Sequence, residues 1–170
     1  MPNPGDGDLA GKAFWRFSLA LYARPGVADA LIALQDRAAR DVNLILFGLW
    51  VGATRGHRLA GGELAVAEAV AAAITDAAVA PLRRLRRRLK GAADPDLLAL
   101  RRRVAGLEIA AERRAQYRLA AQFSVGADAQ PEVDRRAAAQ ANLALTLGGE
   151  AGSPDASTIF RALASLMRLA

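Results

Sequence analysis

The chain has 170 residues, 53% of them hydrophobic, with no cysteine, one histidine and a formal net charge of +6 from 23 basic and 17 acidic side chains. A chain of this length suits one domain that buries most of its surface without a disulfide or a metal. The missing cysteines exclude thiol nucleophiles, thiolate metal sites and redox pairs, and the single histidine excludes two-histidine metal motifs and leaves any Ser-His-Asp triad to His57.

Forty-one alanines and 21 arginines against 2 lysines, with aromatics at only 5%, favour helix over sheet. The expected fold is all-α, an alanine-rich helical bundle of about six or seven helices. Residues 1–8 are rich in Pro, Gly and Asp and are expected to be disordered. They lack the basic run and apolar segment of a signal peptide, so a cytoplasmic location is expected. Residues 9–170 read as a single helical domain, with 124–170 as its C-terminal part. A first helix is expected from Leu9 to Ala23, ended by Pro25, which starts a second. In the second, Val27, Ala30, Leu31, Leu34 and Ala38 share one face, and Asp29, Asp36 and Arg40 lie opposite. The third, Asp41 to about Thr54, is apolar on every side, so it is expected at the centre of the bundle, near residues 42–53. Gly48 and Gly52, four apart, let a neighbouring backbone approach one side. No membrane span is expected, because Val42–Ala53 is too short and the apolar stretch Leu64–Ala80 is interrupted by Glu68 and Asp76.

A loop around His57 leads to an alanine-rich helix from Glu63 to about Ala80. Pro81 kinks it or starts the next piece, in which Leu82, Leu85 and Leu89 form a stripe among arginines. Asp94-Pro95 opens the longest helix, expected to keep Leu97, Leu100, Val104, Leu107, Ala111, Ala115 and Leu119 on its buried face as far as Phe123. A polar break over Ser124–Gln130 precedes a helix from Pro131 to Leu147 and a last one from Pro154.

Charge is concentrated in one segment. From Pro81 to Arg118 there are 12 basic against 4 acidic side chains, a net +8, so the rest of the chain nets −2. This hairpin is the expected partner-binding surface, through Arg83, Arg84, Arg86, Arg87, Lys90, Arg101 and Arg102, for an acidic protein or a nucleic-acid backbone. No motif that reads bases accompanies it. Glu108 and Glu112, one turn apart, have half the spacing of a carboxylate metal site, but no histidine stands in a helix to complete it. They are expected to pair with Arg83, Arg86 or Arg87 instead. His57, with no nearby acid in the chain, is expected to be solvated. No catalytic residue, metal or cofactor is assigned. A second candidate is a polar pocket of Trp15, Tyr22, Gln35, Asp36, Asp41 and Asn43, floored by Trp50. The simpler role for Asp41 is to cap the third helix.

The run Phe14-Trp15-Arg16-Phe17-Ser18-Leu19, with Leu21-Tyr22, Pro25-Gly26-Val27, Leu34-Gln35-Asp36 and Asp41 through Trp50, resembles a family of small proteobacterial proteins known only as a domain of unknown function (number 2390). The likeness continues through Ala80-Pro81-Leu82-Arg83 to Glu108-Ile109-Ala110-Ala111-Glu112 and covers about residues 14–122. It implies a helical cytoplasmic protein and supplies no activity. The expected function is therefore a non-catalytic binding or adaptor protein that uses the basic hairpin. The alternative is an enzyme or small-molecule-binding protein that uses the pocket, and a third is a structural subunit; the oligomeric state is left open.

Overall fold

The computed structural model describes residues 4–123 and 131–168. They form α1 (Pro4–Tyr22), α2 (Val27–Ala38), α3 (Val42–Arg55), α4 (Gly61–Ile74), α5 (Ala80–Arg88), α6 (Pro95–Gln122), α7 (Glu132–Leu147) and α8 (Pro154–Met167). A π-helical segment, Thr75–Val79, joins α4 to α5 without a break, so these make one rod and the described residues hold seven rods and no strand. The all-α bundle is as expected. The polar break at Ser124–Gln130 lies outside the described residues.

α1 begins at Pro4, inside the segment expected to be disordered, because a proline in the first turn loses no hydrogen bond. The chain bends by 101° between α1 and α2. α2 starts at Val27 rather than Pro25, since Gly26 turns the chain with φ +78°, a conformation that glycine adopts without strain. Pro81 does not end its helix. It follows the π segment, where the widened ladder relieves the clash of a proline ring with the turn before it. The continuous run Gly61–Arg88 has 28 residues and is, by length and composition alone, sufficient to cross a bilayer, although Glu68 and Asp76 stand exposed on it. Ala67, Ala71 and Val79 are its buried side chains.

α3 holds the centre. The Asp41 carboxylate accepts the Asn43 N–H at 2.8 Å and caps it, and every residue from Ile45 to Ala53 is buried. α7 is its most extensive neighbour. A Cβ added at Gly52 would lie 2.3 Å from the Ala139 nitrogen, so only glycine permits this approach; at Gly48 the nearest atom is the Thr146 methyl at 3.2 Å. Asn142 pins the seam: its Oδ1 accepts the Leu59 N–H at 2.8 Å, and its Nδ2 donates to the carbonyls of Gly48 at 3.0 Å and His57 at 2.9 Å. On another side Trp50 stacks on Phe14 with centroids 5.0 Å apart, and Phe47 meets Phe123 edge-on at 4.9 Å.

Two expected stripes are corrected. On α6, Val104, Ala115 and Leu119 are buried, but Leu97, Leu100 and Leu107 are exposed, Leu107 to 58%. Their place on the inward face is taken by the buried Glu108 and Gln116. On α5, Leu85 is exposed and Arg83 and Arg86 turn toward α6 instead, because a buried carboxylate left without a counter-charge costs more than an exposed leucine.

Candidate functional site

α1, α2, α3, α5 and α6 enclose an open cleft of about 500 Å³. α6 supplies Arg101, Ala105, Glu108, Ile109, Glu112 and Gln116, which recur at one-turn spacing and so share a face. Trp15, Ser18, Leu19 and Tyr22 come from α1, Ile32 and Gln35 from α2, and Val42, Asn43 and Leu46 from α3. Arg83 and Arg86 enter from α5. Much of the wall is apolar and uncovered: Leu19 is 52% exposed, Ile32 46% and Ile109 54%.

The polar side chains are organised in two groups. Deep in the cleft, the Ser18 hydroxyl donates to Gln116 Oε1 at 2.9 Å, and Gln116 Nε2 donates to Asn43 Oδ1 at 3.0 Å, so three buried polar side chains from three helices satisfy one another. At α5, Arg83 Nε donates to Glu108 Oε1 at 3.0 Å and its Nη2 to Glu112 Oε1 at 2.8 Å, while Arg86 grips both Glu108 oxygens. Burial pushes the Glu108 carboxyl up, but the hydrogen bonds from Arg86 and Arg83 outweigh it and hold the group below the ordinary carboxylate range. Glu112 goes the other way: burial raises it, and its single arginine only partly offsets that. Burial, with the nearby Glu112 charge, also raises Tyr22. Arg101 differs from both other arginines of the cleft. It makes no ion pair among the described residues, and its buried Nε has no hydrogen-bond partner.

Four of the pocket residues read from the sequence meet here: Trp15, Tyr22, Gln35 and Asn43. Asp41 does not line this cleft. It caps α3, accepts the Thr75 hydroxyl at 3.2 Å and borders a neighbouring cavity of about 160 Å³ together with Gln35, Asn43 and Arg83. Asp36 is exposed and bound to Arg87 at 2.8 Å, since it stands on the outer face of α2. Trp50 is no floor: the aromatic core holds it at 3% exposure.

The basic hairpin is divided likewise. Arg83, Arg86 and Arg101 line the cleft and Arg87 is paired, whereas Arg84, Lys90 and Arg102 are exposed and make no ion pair among the described residues. His57 is not simply solvated. Its Nε2 lies 3.0 Å from both Glu63 oxygens, because Glu63, in the first turn of α4, folds back onto the loop to accept the Ala60 N–H at 2.8 Å. Burial raises Glu63, and the bonds from Ala60 and His57 more than reverse it. Sequence reasoning left Ser18, Leu19, Ile32, Ile109 and Gln116 out of the pocket. One signal for it was available: Glu108, Glu112 and Gln116 are spaced by four and form a polar stripe beside the buried Val104, Ala115 and Leu119.

A family model described as a protein of unknown function, DUF2390, matches residues 13–119. That stretch contains every residue that lines the cleft, while α7 and α8 lie beyond it. No curated protein and no solved structure matches the chain.

Proposed function

We propose, from the premise that the chain belongs to the DUF2390 family and takes no assigned activity from it, that it is a small-molecule-binding protein whose ligand occupies the cleft between α1, α2, α3, α5 and α6. The observation that carries this reading is the cleft itself. Its volume falls within the roughly 300–1,000 Å³ of ligand sites, and apolar walls and a few fixed polar groups converge in it from five rigid helices. A ligand with an apolar body recovers the free energy lost by leaving Leu19, Ile32 and Ile109 in water, about 25 cal/mol for each Å² it covers. Binding is favoured over catalysis, because Glu108 and Glu112 are both held by arginines and neither is free to act as a base.

A neutral fluorophore, N-phenyl-1-naphthylamine, tests it. Saturable binding at one molecule per chain is expected, with at least a tenfold loss in Ala105→Trp, which fills the cleft from α6 without touching the core. No saturable binding by the wild type, or unchanged binding by a folded Ala105→Trp, overturns the reading.

A second reading draws on a different face. Leu85, Leu97, Leu98 and Leu100 are exposed on the α5–α6 hairpin among Arg84, Arg88, Lys90, Arg102 and Arg103, none of which makes an ion pair among the described residues. Leucines interleaved with free cations suit an acidic protein surface better than a nucleic-acid backbone. Binding to poly-glutamate and to duplex DNA, each at low and physiological salt, separates the two, and binding to neither removes this reading.

A further inference from the structure

We propose that the ligand of the cleft is an amphipathic monoanion, its carboxylate held by Arg101 and its apolar body lying against Trp15, Leu19, Ile32 and Ile109. The inference rests on the reading of the cleft as a ligand site and adds the chemical class.

Charge balance leads to it. Three guanidinium groups border the cleft, and both carboxylates present are consumed by two of them: Glu108 by Arg83 and Arg86, and Glu112 by Arg83. Arg101 is the third cation, on the same face of α6 and two turns before Glu108, with no acid to answer it among the described residues. Its Nε is both shielded from water and without a hydrogen-bond partner. A guanidinium so placed without a counter-charge is unfavourable, and an anion that reaches its outer nitrogens from the cleft supplies the missing charge. Arginine suits that role, since its planar fork matches a carboxylate and it keeps its charge at any physiological pH.

The remaining polar groups narrow the class. Ser18, Gln116 and Asn43 are tied to one another and carry no charge, so none of them is an anchor of the strength of a guanidinium. A neutral ligand leaves Arg101 unanswered, and a cation adds to the one positive charge that is already unneutralised. A dianion finds one unneutralised arginine where it needs two. One negative charge at one end of an apolar body satisfies both the single cation and the uncovered leucine and isoleucine walls.

The test is displacement of bound N-phenyl-1-naphthylamine by three ten-carbon compounds, each below its micelle concentration: decanoate, decanol and decyltrimethylammonium. Decanoate is expected to displace the probe at least tenfold more tightly than decanol at low salt, with decyltrimethylammonium weakest. Arg101→Met is expected to erase the preference for decanoate over decanol, and Arg101→Lys is expected to retain part of it. If decanol equals decanoate on the wild type, or folded Arg101→Met keeps the preference, the inference falls while the small-molecule reading stands. If the probe itself does not bind, that reading falls and this one with it.

Discussion

Along one flank α3 meets α7 with Gly52 against the Ala139 backbone, whereas along the other its Val42, Asn43 and Leu46 border a cleft that no side chain fills. The two flanks differ in what the neighbouring helix carries at the contact. α7 presents Ala138 and Ala139, which let two backbones close to their limit, and one asparagine that satisfies three backbone groups at once. α6 presents Glu108, Glu112 and Gln116, whose long side chains reach arginines on α5 and polar side chains on α3 and α1 around the cleft. Small residues seal the α3–α7 interface, and long paired polar side chains line the cleft. The sealed flank lies partly outside the family match and the open flank entirely inside it.

The strongest way to break this contrast is to give the sealed flank a side chain. Gly52→Val places atoms where the Ala139 backbone stands, and backbone cannot swing aside as a side chain end can, so a loss of about 3 kcal/mol or more is expected. For a chain of this size that lowers the melting temperature by roughly 6–12 °C. Gly48→Ala meets the Thr146 methyl at 3.2 Å, the Asn142 Cβ at 3.3 Å and the Asn142 carbonyl oxygen at 3.4 Å, all looser than the contact at Gly52, and should cost about 1 kcal/mol. Thermal unfolding followed by circular dichroism ranks the pair, and equal melting temperatures contradict the backbone contact at Gly52.

A gentler comparison sets one buried amide against another. Asn142→Leu strands the Leu59 N–H and the His57 and Gly48 carbonyls where little water reaches, with an expected cost of about 2–4 kcal/mol. Gln116→Leu breaks the chain from Ser18 to Asn43, but those groups border the cleft and can be rehydrated from it, so about 1 kcal/mol is expected. Urea titration of both variants gives the order. A Gln116→Leu loss as large as that of Asn142→Leu means that the cleft floor is as dry as the α3–α7 seam.

These positions also show what the chain disclosed before its structure. The central place of α3 was legible because residues 42–53 are apolar on every side, and the Asp41 cap because a carboxylate before such a run has one obvious use. The carboxylate pairings were legible in kind from their one-turn spacing beside an arginine-rich segment. Which flank of α3 closes was not. Gly48 and Gly52 announce a close approach, but nothing local says that the partner is α7, some 90 residues downstream. The α6 stripe failed for a related reason: periodicity ranks leucine above glutamate for burial, and here the partners that Glu108 and Gln116 find on α5, α3 and α1 reverse the ranking. Trp50 was misplaced because an aromatic residue near polar ones reads as a pocket floor, although α3 turns it toward Phe14.

The smallest expected effect is the pH response of the open flank, and its sign follows from the two carboxylates. Stability rises with pH wherever the unfolded chain holds more protons than the folded one. Glu108, held below the ordinary value of 4.5, is such a group: its contribution is present above that value and is lost as pH falls through the lower folded one. Glu112, raised above 4.5, does the reverse, because the folded chain now keeps the proton longer. Its contribution is complete below 4.5 and is lost as pH rises through the raised folded value. Glu112→Gln removes only the second effect, so the wild type should lose stability relative to the variant as pH climbs from about 4.5, while both fall together on the acid side. The difference should stay below about 1 kcal/mol, since the pair with Arg83 is partly exposed and salt screens it. Melting temperatures of both proteins across pH 3–8 measure it. If the variant and the wild type run parallel above 4.5, Glu112 carries no burial penalty, and the cleft around it is wetter than the packing of α1 on α6 implies.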